Sequence, residues 1–378
     1  MAYEALRSRA GPSVVWPILC SAGLVAAMYA AEFGRLYRAQ SGKPAERKFL
    51  SKSSLQVAQR GRALERGRGR HAASPSQIPL QGWKDILWRT YERIGEDRLL
   101  AVAAGVVFYG LLALFPAITA MVSLYGLFAK ASTINEHLSA AAGLLPESAM
   151  SIVRDQVNRL AAKGDAKLGF GFIIGLGIAL WSANSGMKAI LDALNVVYEE
   201  KEKRGFIKLT LISFGFTLAA IAAVLLALGA VVVMPVALNY LGLHAVTDFL
   251  LRALRWPVLL ALIITALAVL YRFGPSRRGP RWQWISVGSV VAAAAWLGAS
   301  GLLSWYLASF ASYDATYGSL GAGIGLMMWM WVSSIVILFG AELNSEIEHQ
   351  TARDSTVAGE KPLGARGAVM ADTVGEAR

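Results

Sequence analysis

Six stretches of the chain are nearly free of charge. They run approximately over Leu99–Phe128, Leu168–Leu191, Ile207–Leu238, Phe249–Tyr271, Trp282–Ser309 and Tyr317–Leu343. Each is long enough to cross about 30 Å of hydrocarbon at about 1.5 Å per residue. None alternates with period two, and all are too long for barrel strands. Backbone groups in lipid must pair within their own segment, so the pattern predicts six helices. A seventh, weaker stretch covers Val14–Ala31. It is short, contains Pro17 and is rich in Ala and Gly, so it either spans or lies at the interface. A cleaved signal peptide fits it less well, because Arg-rich sequence follows at once.

Composition agrees with the pattern. Apolar residues make up 55% of the 378 positions and charged residues 16%; soluble domains carry about 45–50% and about 25%. Cys20 is the lone cysteine, so no disulfide within the chain replaces a core. Basic residues crowd Glu32–Arg98. They recur in the link after the second main helix (Lys201, Lys203, Arg204, Lys208) and after the fourth (Arg272, Arg277, Arg278, Arg281). Ala311–Thr316, after the fifth, has none. The positive-inside rule places both ends of the six-helix core in the cytoplasm. The segment Ala129–Lys167 is basic yet faces outward, but long loops count less. The net charge of +12 is thus read as topology. Arg60, Arg62, Arg66, Arg68 and Arg70 lack aromatic neighbours, and they read as a disordered cytoplasmic linker touching anionic lipid rather than as a nucleic-acid site.

Between the spans, Trp83, Ile86, Leu87, Tyr91 and Ile94 share one face of a short amphipathic helix, which lies in the headgroup layer or packs as a cytoplasmic helix. Thr133–Gly164 is helical in pattern, with a Thr133/Glu136 capping box and a second start at Pro146, and forms a cap over the outer mouth or a spacer. The polar, patternless end is expected to be disordered. Three regions follow: 1–80, an extension with the candidate helix 14–31 and the basic linker; 81–350, the six-helix membrane domain; and 351–378, a disordered cytoplasmic tail. The fold class is all-α, a polytopic six-helix transmembrane bundle.

Ionisable groups at membrane depth cost roughly a few kcal/mol each, so every one is a functional candidate. Asn184, Lys188, Asp192 and Asn195 fall on one stripe of the second main helix. Gly171, Gly175, Ala179 and Ala183 form a small-residue stripe offset from it by about 100°, as for a close-packing seam. Lys188 and Asp192 either pair at i,i+4 or line a path. The last helix has a similar small face, Gly318, Gly321, Ala322 and Gly325, and carries Glu342 and Asn344 at its far end. Glu342 either pairs with Lys188 to close the inner side or marks the end of the helix. Pro116, in mid-span, frees the Leu112 carbonyl and makes a hinge or a static kink.

Three segments carry a family resemblance: AAGVVFYGLLALFPA (Ala103–Ala117), LWSANSGMKAILDALNVVY (Leu180–Tyr198) and YGSLGAGIGLMMWMW…LFGAELN (Tyr317–Asn344). Over about 270 residues, from Trp83 to Glu348, the sequence resembles the YihY/BrkB group of bacterial inner-membrane proteins, once labelled ribonuclease BN-like. The resemblance implies an inner-membrane location and links to envelope integrity, serum resistance or lipid export in some members. It brings no agreed catalytic site, and it leaves the first 80 or so residues uncovered.

The ribonuclease label finds no chemistry. His71, His137, His244 and His349 fall in separate extramembrane stretches without HxH or HExxH spacing. Ser319 has no evident base, and no Walker A loop is present. No catalysis, metal or cofactor is expected. The favoured reading is a transporter-like protein that moves a lipid or small solute, with membrane lipids as partners, no nucleic acid and a candidate homo-oligomer through its glycine faces. Three helices plus three would suit an inverted repeat, but no internal sequence match supports one. The alternative is a membrane scaffold that organises envelope proteins through the basic arm Lys43–Arg70.

Overall fold

The computed structural model describes residues 52–126, 154–155, 170–240, 244–310, 320–357 and 359–378. Val14–Ala31, Gly318 and most of the outer segment 129–167 lie outside the described residues. The chain divides into two units, Met1–Val57 and Ala58–Arg378. Of the first unit only 52–57 is described, as the start of α1 (Lys52–Ala63). The second holds α2 (Leu80–Glu96), α3 (Leu99–Gly126), α4 (Phe170–Val197), α5 (Phe206–Tyr240), α6 (His244–Phe273), α7 (Ser286–Phe310), α8 (Leu320–Gln350) and the short α9 (Val369–Asp372). No strand occurs among the described residues, only an isolated bridge between Pro280 and Thr356.

The described part of each of the six apolar stretches is helical, the fifth opening in a short 3-10 turn at Trp282–Trp284. The helices α3 to α8 contain 25 to 35 residues, or roughly 38 to 53 Å at about 1.5 Å per residue. Three segments among the described residues are long and apolar enough to cross a membrane: 206–227, 286–307 and 323–350. A fourth arises if α2 and the first half of α3, which meet at 60°, are counted together. The surface has the character expected in lipid. Phe108, Trp181, Ile207, Leu211, Leu226, Leu302 and Trp305 are all exposed, far more apolar side chain than a water-soluble surface presents. Pro116 lies inside α3, which continues through it as one helix.

α8 is the hub and packs against α2, α3, α4, α7 and α9. The core gathers Leu99, Ala103, Leu194, Tyr198, Tyr271, Ile285, Ala292 and Leu338 at one end of the bundle. There α3, α5 and α7 begin and α4, α6 and α8 end. Links between these helices are tied together: Lys203 N donates to Ser276 Oγ at 2.9 Å, and an Arg204 guanidinium nitrogen donates to the Gly274 carbonyl at 2.9 Å. The long helices therefore alternate in direction. This shared end is called the polar end below.

α2 is amphipathic in an unexpected sense. Its buried face carries Asp85, Arg89 and Thr90 beside Ile86. Leu80, Leu87, Trp88 and Tyr91 point outward and are at least half exposed. The polar side packs on α8 and the aromatic side is left for an apolar surround, the arrangement of an interfacial helix turned toward lipid.

Residues 351–357 and 359–378, expected to be disordered, are folded. Arg366 is buried and donates to the carbonyls of Ala352 (2.6 Å), Arg353 (3.0 Å), Lys361 (3.1 Å) and Ala371 (2.6 Å). Val357 N donates to Gly279 O at 3.1 Å, Val369 N to a Glu200 carboxylate oxygen at 2.7 Å, and Gly375 N to His349 O at 2.8 Å. The basic run is likewise ordered from Ala58 onward. Arg68 grips Asp85 at 2.6 Å, and buried Arg70 donates to Glu65 (2.6 Å), Gln350 O (3.2 Å) and Gly375 O (2.8 Å). Both segments lack apolar periodicity because they are held by polar groups satisfying distant backbone. The boundary expected at residue 80 is not a structural one, since 58–80 packs into the same unit as the helices.

Candidate functional site

Two small residues bring α3 and α4 together. A Cβ on Gly186 would meet Ala113 Cβ at 3.1 Å, and one on Gly110 would meet Met330 Cε at 2.7 Å. Beside this contact a crevice of about 290 Å³ opens between α3, α4, α5 and α8. Its wall is almost wholly apolar, with Val106, Met187, Ile221 and Trp329 interrupted by the hydroxyls of Thr217, Ser333 and Ser334. Ala183 belongs to the crevice wall, and Ala179 packs against Ile221. Gly171, Gly175 and Gly321 lie within α4 and α8, and Gly325 is buried. Within the long helices, the glycines with a neighbour inside 3.4 Å of an added Cβ are others, Gly110, Gly186, Gly288 and Gly340.

The polar stripe of α4 does not open onto one hollow. Asn184 is buried and faces α5, its Oδ1 accepting from Thr217 at 3.3 Å. One turn nearer the polar end, the Lys188 ammonium donates to Thr210 Oγ1 at 3.1 Å. It stands 5.7 Å from the Trp181 ring centroid and 5.1 Å from that of Phe206, and no carboxylate pairs with it among the described residues. The expected Lys188–Glu342 pair is absent, because Lys188 faces α5 whereas Glu342 faces the α2–α3 corner. Asp192 is exposed. Asn195 is a clamp: its amide donates to Glu202 at 3.0 Å and its Oδ1 accepts from Ser276 N at 2.7 Å. Burial alone would raise the Glu202 carboxyl, but hydrogen bonds from Arg204 and Asn195 outweigh it and hold that group at about 2. Asn344 is a second clamp. Its Oδ1 accepts from Gly288 N at 2.8 Å and its Nδ2 donates to Ile285 O at 3.2 Å, satisfying the start of α7.

At the polar end a cluster forms that the stripe analysis missed. Arg98, with φ 49°, joins α2 to α3, and Glu199, with φ 51°, lies in the turn just after α4. Both are left-handed positions that non-glycine residues adopt at a cost. Arg93 pairs with Glu199 and lies 3.5 Å from Glu346. Arg89 donates to Glu346 at 2.5 Å. Asp97 and Glu342 complete the group, and neither has an ion-pair partner among the described residues. The i,i+4 repeat of Glu342 and Glu346 was the available signal.

Burial, reinforced by Glu199, Glu96 and Glu346 and opposed by Arg93, pushes the Asp97 carboxyl up to about 6. A carboxyl raised on folding adds stability below its unfolded value, about 3.9, and loses it as pH rises through about 6. Asp97→Asn is therefore expected to gain thermal stability relative to the wild type between pH 5 and pH 7, read as the difference between their unfolding temperatures. A difference that stays constant would refute this.

Among the described residues no three His, Cys, Asp or Glu side chains come together as a metal-binding set. The family profile described as Virulence factor BrkB matches residues 90–363. The chain is 33% identical over 252 residues to the putative ribonuclease-like protein YfkH of Bacillus subtilis (strain 168), which covers 64% of this chain and 88% of that one. It is 26% identical over 289 residues to a UPF0761 membrane protein of Neisseria meningitidis serogroup B, 71% of this chain and 66% of that one. A UPF0761 membrane protein of Idiomarina loihiensis is 25% identical over 288 residues, 70% and 95% of the two chains. No solved structure matches. With the profile spanning most of the chain and long apolar helices present, the protein belongs to the BrkB family of membrane proteins.

Proposed function

We propose that this protein binds and moves a lipid-like amphiphile across the inner membrane, with six helices spanning and the polar end in the cytoplasm. The observation that carries the reading is the crevice of about 290 Å³. An apolar groove interrupted by a few hydroxyls suits an acyl chain better than a polar solute. Lys188 lies outside the crevice wall, on the α5 side of α4 between Trp181 and Phe206, where it would meet an anionic headgroup at the edge of the groove. Close packing at Gly110 and Gly186 gives the crevice a firm floor. The scaffold reading loses support, because Arg62, Arg68 and Arg70 are engaged within the chain.

The test is transbilayer movement of fluorescent phospholipids by protein reconstituted in vesicles. Ala220 lines the crevice yet is exposed, so Ala220→Phe fills the groove without disturbing the core. It is expected to slow movement at least tenfold at unchanged unfolding temperature, with Lys188→Gln slowing anionic more than zwitterionic lipid. A wild type that moves no lipid analogue, or an Ala220→Phe protein as fast as wild type, would remove the proposal.

A further inference from the structure

Four carboxyl groups share the interior of the polar end: Asp97 at the α2–α3 corner, Glu199 just after α4, and Glu342 and Glu346 on α8. Two guanidinium groups, Arg89 and Arg93, answer them. Arg89 is committed to Glu346 and to Gln350 Oε1 at 2.8 Å. Arg93 is committed to Glu199, with Glu96 at 3.4 Å and Glu346 at 3.5 Å. Asp97 and Glu342 are left without a counter-cation. Glu342 is fully buried, and neither of its oxygens has a hydrogen-bond partner among the described residues.

A carboxylate in that position has lost its water and gained nothing in exchange. Such a group neutralises instead of staying charged. Asp97, Glu199 and Glu346 surround Glu342 as like charges, with Arg93 as the cation among them. On the α4 side the Tyr198 phenol faces it, with Arg277 stacked on that ring at 3.9 Å and turned toward Glu348. His349, on α8, lies 3.5 Å from Glu346. α7, which packs along α8, contains no Asp, Glu, Lys, Arg or His.

We propose that Glu342 is a proton-binding site, loaded from water through Asp97. Asp97 suits the entry role because it is part-exposed, and its Oδ2 also lacks a partner. Glu199 is part-exposed too, but Arg93 holds it. The proton leaves a half-buried carboxyl and is taken up by a fully buried one, so the charge of the cluster changes only when Asp97 exchanges with the aqueous phase. Loss of the proton sets a bare charge on α8 against Asp97 and Glu346, which loosens the contact of α8 with the α2–α3 corner. The site stands on its own and does not rest on lipid movement.

Infrared spectroscopy of the purified full-length protein tests this. At about pH 7 an ordinary glutamate, with a pKa of about 4.3, is ionised. The expected result is a protonated-carboxyl carbonyl band that shifts in protein labelled with carbon-13 glutamate and disappears in Glu342→Gln. In Asp97→Asn the band remains, and its exchange in heavy water slows. Glu342→Gln mimics the protonated form, so its unfolding temperature at that pH is expected to match or exceed the wild type. The labelled wild type needs no variant to fold: if no glutamate-derived band appears, the site is refuted. A band that survives Glu342→Gln, or a Gln variant that unfolds early because a charge was holding the structure, refutes it equally. Unchanged exchange in Asp97→Asn refutes the route.

Discussion

Replacing Arg277 by methionine is expected to cost about 3–5 kcal/mol of stability, most of what a domain of marginal stability can spare. The side chains of Arg277 and Glu348 are both fully buried at the polar end, joined by two hydrogen bonds of 3.0 and 2.8 Å. The guanidinium also stacks on Tyr198, a contact worth about 2 kcal/mol when desolvated. Methionine fills most of the space but leaves the Glu348 carboxylate buried with one donor, the Ser355 hydroxyl at 3.0 Å. The large cost is that of the stranded charge rather than of the pair. The double variant Arg277→Met/Glu348→Met is therefore expected to recover much of the loss, because replacing both partners by apolar side chains is often close to neutral. Thermal unfolding of the two single variants and the double in detergent closes the cycle. If the double variant is as unstable as the sum of the singles, the buried charge is not the cause.

The same pair shows what the sequence can and cannot reveal. Arg277 reads as one more basic residue on a cytoplasmic link, and Glu348 as the polar end of the last helix. Nothing local marks them as partners. The six long helices were legible because the bilayer imposes a length and a composition on each segment separately, so the stretch beginning at Leu99 predicts a helix that does begin there. The polar end obeys no such local rule. Arg70 bonds to Gly375 across 305 positions, and Arg366 is buried by carbonyls of its own segment; neither leaves a periodic trace. A patternless polar tail and a polar tail folded by distant arginines look alike in one dimension. Of the candidate stripe on α4, Asn184 and Lys188 both face α5. Whether Lys188 meets Glu342 depends on the rotation of each helix, and periodicity gives only the relative angle within one helix. Asn195 and Asn344 were singled out as costly groups in an apolar stretch. They are costly, and the structure spends them on holding links and a helix start.

Gly288→Ala is the second large effect, and it depends on a glycine that no stripe picks out. α7 and α8 cross where Gly288 faces Gly340. A Cβ at Gly288 would run into the Gly340 carbonyl oxygen and lie 2.5 Å from Asn344 Oδ1. Neither obstacle is a flexible side-chain end: one is backbone in the middle of a helix, and the other is fixed by accepting the Gly288 N–H. On the opposite side, a Cβ at Gly340 would meet Ala292 Cβ at 2.6 Å and Tyr271 Oη at 2.7 Å. That hydroxyl is itself held to Ile337 O at 2.8 Å. The helices must separate, which breaks the Asn344 clamp and shifts the Glu342 turn beside it. Overpacking usually costs about 1–3 kcal/mol; with rigid obstacles on both faces the upper end is expected, about 3 kcal/mol. Gly298 and Gly301 on the same helix meet nothing within 4 Å. Alanine there gains helix propensity of up to about 1 kcal/mol, so those variants are expected to be neutral or slightly more stable. Unfolding temperatures of the three single variants decide the matter: if Gly288→Ala unfolds no earlier than Gly298→Ala, the close crossing is not what holds α7 against α8.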